Sequence, residues 1–187
     1  VIREKVNKMA SIILRVFADL RLIWFSKSKL SVESSNDITT LAVFNVASFF
    51  GKNKKDEGDG NFVSISLFNE TIDMLSDIDI PVLLKPHVFT DMEIVRNAIS
   101  GKTGFYITYL HPTVLSLKAK AFICNSYSTT MADAYSLGVT TIEYTDYPKN
   151  VLLATNHKSF GYQYIDYFIN EDNKVFKETI KHILPNK

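Results

Sequence analysis

Short apolar runs of strand length alternate with amphipathic stretches along most of this chain, and that order leaves few folds open. The runs are Thr40 to Phe50, Ile80 to Leu84, Phe105 to Tyr109, Ala121 to Cys124 and Thr140 to Glu143. Between them, Phe62 to Asp77 carries Phe62, Ile65, Phe68, Ile72 and Leu75 at helical spacing, and Thr90 to Ser100, Thr130 to Leu137 and Glu171 to Leu184 read as further helices. His111 to Leu117 is a short helix or turn. Thr90 is placed to cap its helix, with Glu93 completing a capping box and Gly101 ending it. Strands separated by helical segments imply right-handed crossovers, a parallel sheet and helices on both faces. The expected fold is α/β, a Rossmann-like three-layer sandwich with a parallel sheet of about five strands.

The 187 residues are 46% apolar and 22% charged, enough for one good core. A net charge of +1 gives no electrostatic case for nucleic acid as a partner. Cys124 is the sole cysteine, so no intrachain disulfide can form, and a reducing, cytoplasmic setting is expected. Residues 1–26 read as a basic amphipathic helix, with Val6, Met9, Ile13, Val16, Phe17, Leu20 and Trp24 on one side. Arg15, Asp19 and Arg21 interrupt it too often for a membrane span. Peripheral association with the inner face of the cell membrane stays open; packing on the sheet or on a missing neighbouring domain is the favoured reading. Lys27 to Asn36 looks like a linker, so residues 1–36 form an appendage and residues 37–187 the domain. An opening at Val1 without signal-peptide order is what a piece of a longer protein would show. Lys52 to Asn61 is a charged, glycine-bearing surface loop.

In such sheets ligands bind beyond the carboxyl ends of the strands. Polar residues gather there: Ser48 after the first run, Lys85 and His87 after the second, His111 after the third, Asn125 to Thr130 after the fourth, and Glu143 and Asp146 at the fifth. The hydroxyls of Ser126, Ser128, Thr129 and Thr130, beside the first N–H groups of a helix, suit a phosphate, and Lys85, His87 and His111 can neutralise it. Each has a plainer alternative. Ser128 or Thr129 can simply cap the helix, Lys85 can be a solvated charge, His87 a hydrogen-bonded structural histidine and His111 a turn residue. Other chemistries find less support. Neither G-x-G-x-x-G nor G-x-x-x-x-G-K-[ST] occurs, and the Ser126 region lacks G-x-S-x-G. His87 and Asp91 have metal-pair spacing without a third ligand, so no metal is expected. Asp56, Glu57 and Asp59 read as a solvated acidic loop. The run Phe160, Tyr162, Tyr164, Tyr167 and Phe168 reads as packing.

Leu83 to His87 (LLKPH), followed by Ala121 to Tyr144 (AFICNSYSTTMADAYSLGVTTIEY), resembles the carboxyl-terminal half of bacterial GT-B glycosyltransferases of capsule and lipopolysaccharide synthesis. The likeness is to the sialyl-, polysialyl- and Kdo-transferases that use CMP-sugars; CDP-glycerol glycerophosphotransferases have a similar layout. It covers roughly residues 40–146. It implies a GT-B half-fold in which His87, with Lys85 beside it, contacts the nucleotide and Ser128, Thr129 and Thr130 hold its phosphate. The family's proline after the histidine is Val88 here, and the acidic residue one turn into the helix, near the ribose, is Asp133. The implied function is donor binding for transfer of a sugar from a nucleotide-sugar to a polysaccharide or lipid-linked acceptor, without cofactor or metal. The acceptor site and catalytic base would belong to a missing amino-terminal domain. A non-hydrolysing sugar-nucleotide epimerase half, or a non-catalytic scaffold module of a capsule assembly complex, are the alternatives.

Overall fold

A computed structural model describes residues 41–51 and 62–184, all inside a unit that runs from Thr40 to Lys187. The helix expected at 1–26, the linker at 27–36 and the loop at 52–61 lie outside the described residues. Eight strands are present among them: β1 (Leu41–Asn45), β2 (Phe49–Gly51), β3 (Phe62–Ser64), β4 (Val82–Lys85), β5 (Phe105–Ile107), β6 (Ala119–Cys124), β7 (Thr140–Thr145) and β8 (Tyr167–Asn170). Six of them build one sheet in the order β5-β4-β1-β6-β7-β8, and every neighbouring pair is parallel. β2 and β3 pair separately, also in parallel.

Counted along the chain, the sheet reads 3-2-1-4-5-6, the doubly wound Rossmann order. The chain winds outward from β1 to β5, then returns across β1 to place β6 on its other side. In sheets of this order ligands bind in the crevice where the winding reverses, which here is the point between the carboxyl ends of β1 and β6. The helices are α1 (Ile65–Leu75), α2 (Met92–Ala98), α3 (Pro112–Ser116), α4 (Thr130–Ser136), α5 (Lys149–Ala154) and α6 (Asn173–Ile183). None of these is long and apolar enough to cross a membrane.

Side chains alternate across a strand, so each strand feeds two cores. One face carries Ala42, Phe44, Leu84, Ile123, Ile142 and Tyr144 against Phe68 and Ile72 of α1 and Phe176 and Ile180 of α6. The other carries Val43, Phe122 and Cys124 against Leu115 of α3 and Met131 and Ala134 of α4. Ser64 starts α1 by accepting from Leu67 N at 3.1 Å, and Asp172 starts α6 by accepting from Val175 N at 3.0 Å. α4 stops because Gly138 takes φ +79°, a left-handed turn that costs glycine little.

Local readings change in four places. The apolar run 40–50 is two strands, since the backbone leaves the main sheet after Asn45 and resumes pairing at Phe49. Phe62–Ser64 is strand, and the helix begins only at Ile65. The helix after β4 is capped by Asp91, whose carboxylate accepts from Glu93 N at 2.9 Å, while Thr90 is engaged elsewhere. The aromatic run contributes a sixth strand to the main sheet; its Phe160 and Phe168 pack on Tyr147 as expected, while Phe160, Tyr162, Tyr164 and Tyr167 keep large exposed faces.

Candidate functional site at the switch point

Register sets Lys85, Asn45, Cys124 and Glu143 side by side in one row across β4, β1, β6 and β7. By strand alternation their side chains point to the face covered by α3 and α4. Strands lie about 4.8 Å apart, so Lys85 and Cys124 flank Asn45 across about 10 Å. Asn45 occupies the switch point itself. Asn45 is 9% exposed, and its amide has no hydrogen-bond partner among the described residues. The amide is not one of the fully enclosed unpartnered groups, so it is open to solvent or a ligand. Lys85 is half-buried, with Nζ donating only a long 3.3 Å contact to Pro86 O, and burial pulls its pKa below the ordinary lysine value.

The segment leaving β4 is fastened to the one leaving β1. Thr90 Oγ1 donates to Ala47 O at 2.8 Å and accepts from His87 N at 2.9 Å. His87, Val88 and Phe89 project past this clasp, and Phe89 stacks on Phe49 with ring centroids 6.0 Å apart. His87 Nδ1 accepts from Phe89 N at 3.3 Å. His111 starts α3, where its Nδ1 accepts from Thr113 N at 3.3 Å. It follows β5, the outer strand, but Leu110 before it and Leu115 after it already pack with Val43, Phe122 and Cys124, so α3 turns back over β1 and β6.

After β6 the turn is held from below. Asn125 Nδ2 donates to Tyr144 O and to Thr71 Oγ1, each at 2.8 Å, joining β6, β7 and α1; its Oδ1 is buried without a partner among the described residues. The Tyr147 hydroxyl donates to Glu143 Oε1 at 2.6 Å and accepts from Tyr127 N at 3.2 Å. Ser159 donates to Glu143 Oε2 and accepts from Gly161 N at 3.0 Å. The Ser126 side chain also hydrogen-bonds Tyr147. Burial pushes the Glu143 carboxyl above its ordinary pKa, and the hydrogen bonds from Ser159 and Tyr147 pull it partly back. Burial and the neighbouring Glu143 push the Cys124 thiol well up, which makes it inert packing rather than a nucleophile. Gly161 lies against the Tyr127 ring: a Cβ there would stand 1.7 Å from Cε2, so any other residue would displace the ring.

The hydroxyls of the turn therefore divide. Ser126 is committed to the buried network. Thr130 Oγ1 donates to Ser128 Oγ at 3.1 Å, and Thr129, the residue preceding α4, makes no side-chain capping bond. The capping alternative thus fails for Thr129, because its αR backbone turns the hydroxyl away from the helix's own N–H groups. Asp133 is exposed in the first turn of α4. Sequence reasoning missed Asn45 and the roles of Glu143, Tyr147, Ser159 and Gly161. The available signals were a polar residue closing an apolar run at Asn45 and a carboxylate between Ile142 and Tyr144.

No family model matches the sequence, and no curated protein matches it. Among solved structures, the chain is similar to the E. coli heptosyltransferase WaaC with ADP, at 12% identity and TM-score 0.49, over 84% of this chain and 52% of that one. It is similar also to a Polygonum tinctorium UDP-glucosyltransferase capable of glucosylating indoxyl, in complex with 3,4-dichloroaniline. There the identity is 14% and the TM-score 0.35, over 75% of this chain and 36% of that one. The chain thus spans about half the length of the first of these proteins and about a third of the second.

Proposed function

We propose that residues 37–187 form the nucleotide-sugar donor domain of a two-domain GT-B glycosyltransferase, with a CMP-sugar as the favoured donor. The single observation that carries the reading is the unpartnered Asn45 amide at the switch point of a 3-2-1-4-5-6 sheet, flanked by Lys85 on one strand and the hydroxyl turn on the other. That is an arrangement of donors and one cation converging where doubly wound sheets take ligands.

In this reading Lys85 and the Asn45 amide donate to the nucleotide phosphate from one side of the crevice. Ser128, Thr129 and Thr130 donate from the other, His87 contacts the nucleotide at the rim, and Asp133 faces the ribose. The reaction is displacement of the nucleoside phosphate from the anomeric carbon by an acceptor hydroxyl. Charge grows on the leaving phosphate in the transition state, so donors fixed around it lower the barrier. The acceptor, a polysaccharide or lipid-linked glycan, and the base that deprotonates it belong to a second domain. Residues 1–36 serve that domain or a membrane surface, and residues 1–187 alone have no transferase turnover.

The test is an NMR titration of the chain with CMP, CDP and UDP. The expected result is saturable shifts at Asn45, Lys85 and Ser128 to Thr130, strongest with a cytidine nucleotide. Absence of binding at about 1 mM for all three, or shifts confined to another part of the sheet, would remove the donor-site reading.

A further inference from the structure

The opposite edge of the sheet holds a second cleft. It lies at the amino-terminal ends of β7 and β8, has a volume of about 670 Å³, and is lined by Tyr135, Gly138, Val139, Thr140, Asp166 and Tyr167. That volume falls in the range of small-molecule sites. Tyr135, near the end of α4, and Tyr167, opening β8, flank a floor made by the turn at Gly138. Both tyrosines are exposed, at 42% and 38%, and neither phenol hydroxyl has a partner among the described residues. The Tyr135 ring is held by an edge contact with Tyr164 at 6.1 Å, so its orientation is set before any ligand arrives.

The polar groups of the cleft point to the ligand's chemistry. Asp166 Oδ2 accepts from Thr141 N at 2.8 Å, while the single proton of the Thr141 hydroxyl goes to Tyr164 O at 2.8 Å; Asp166 Oδ1 has no partner among the described residues. The Thr140 hydroxyl is also unpaired among the described residues. Two phenol rings, two phenol hydroxyls, one threonine hydroxyl and one rigid carboxylate oxygen match a polyhydroxylated ring, whose C–H face lies on an aromatic and whose hydroxyls bridge to oxygen acceptors. The one ionised group among the lining residues is a carboxylate, which repels uronic, sialic or phosphorylated sugars.

We propose that this cleft is a binding site for a neutral oligosaccharide, separate from the switch point and lying at the other end of the same sheet. It does not depend on the donor-site reading, since it shares no lining residue with it. A glycan chain held there is anchored to the domain away from the nucleotide end. Each binding contact is weak alone, and its value lies in keeping a long polymer close through effective concentration.

The experiment is a backbone NMR titration of the full chain with maltotetraose, cellotetraose and chitotriose, with disialic acid as the anionic control, each at about 10 mM. The expected result is that one or more neutral probes shift Tyr135, Gly138, Thr140 and Tyr167, that disialic acid does not, and that Tyr167→Ala weakens binding about tenfold or more. Tyr135→Ala, on a helix instead of a strand, gives the same loss should Tyr167→Ala disturb the edge of the sheet. Nucleotide binding at the crevice stays unchanged in both. The proposal falls if no neutral probe binds, if disialic acid binds as well as the neutral probes, or if the shifts map elsewhere. A dimer that Tyr167→Ala dissolves, with no saccharide response in the monomer, would assign the cleft to a second copy of this chain and overturn it equally.

Discussion

The two faces of the sheet end differently, although they are built by the same strands one residue apart. Leu84, Phe44, Ile123 and Ile142 stand in one row across four strands, all fully buried and all apolar. The next residue of each strand is Lys85, Asn45, Cys124 and Glu143, on the opposite face. The first face runs apolar to its end and is sealed by α1 and α6, where Tyr144 stacks on Phe176 at 4.3 Å. The second stops being apolar at its last row, where Lys85, the unpaired Asn45 amide and the fully buried Glu143 carboxyl stand beside Cys124. The sealed face carries the larger apolar cluster and the proposed ligand groups stand on the other, so substitutions on the two faces are expected to separate stability from binding.

The largest effect expected is on the sealed face. Phe176 is fully buried and lies flat on Tyr144 with planes 10° apart, so Phe176→Ala removes a ring and leaves a cavity. The cost is about 3 to 5 kcal/mol, a fall in thermal midpoint of about 10 °C or more. Calorimetry checks it, and a drop of only a few degrees would mean the first face is not where the fold is held. On the second face the reverse is expected. Lys85→Met removes a charge-assisted hydrogen bond of about 1.5 to 3 kcal/mol to a bound phosphate, a loss of roughly tenfold or more in nucleotide affinity. The melting temperature should stay nearly level, because Lys85 makes only one long contact within the fold. Unchanged binding of cytidine and uridine nucleotides in this variant would break the comparison on its functional side.

The reason the two faces were unequally legible in the sequence is physical. β1, β4, β6 and β7 are covered on both sides, so they read as plain apolar runs and their alternation with helices points to the parallel sheet. β8 is an edge strand, YFIN, with Tyr167 facing solvent, and its two aromatic residues resemble packing as much as pairing. The break at Asn45 is hidden because Val46 is as buried as the strand before it, although the chain has already turned. Thr90 and Asp91 are adjacent cap formers, and only the tie from Thr90 to Ala47, 43 residues away, decides between them. Lys85 and His87 are visible as polar residues directly after an apolar run. The Glu143, Tyr147 and Ser159 network is not, since it joins residues 4 and 16 positions apart across a helix and a loop that no periodicity links.

That network offers a finer test of the second face, through pH. The Glu143 carboxyl is raised above its ordinary value of 4.5 chiefly by burial, so the folded protein holds the proton more tightly than the unfolded chain does. Below that ordinary value both states are protonated and the contribution is at its most favourable. Stability is then lost as the pH climbs from there through the raised value, where the unfolded chain gives up its proton first. The groups facing the carboxylate are the Tyr147 and Ser159 hydroxyls and the Cys124 thiol, and burial with Glu143 nearby holds the Tyr147 phenol and the thiol neutral far above that window. Urea midpoints measured across the acid range should show this decline in the wild-type chain and a flatter profile in Glu143→Gln. Identical profiles would mean that the carboxylate behaves as a solvated one.

The smallest expected effect is the most discriminating for the turn. Thr129 stands before α4 in an αR conformation, and its hydroxyl makes no bond to the helix, so it does not perform the capping that a threonine in this position usually supplies. Thr129→Ala should therefore leave the thermal midpoint within the scatter of a surface substitution, about 0.5 kcal/mol, where the loss of a working cap would cost about 1 kcal/mol. Nucleotide affinity should fall, by less than in Lys85→Met, because a neutral hydroxyl donor is worth less to a phosphate than an ammonium. Both groups act on one anion in the proposed site, so the double variant should lose less binding than the sum of the two single losses. Thr129→Ala that melts early and binds nucleotide as before would return the turn to a structural role and leave the second face with its polar row but without a phosphate to meet it.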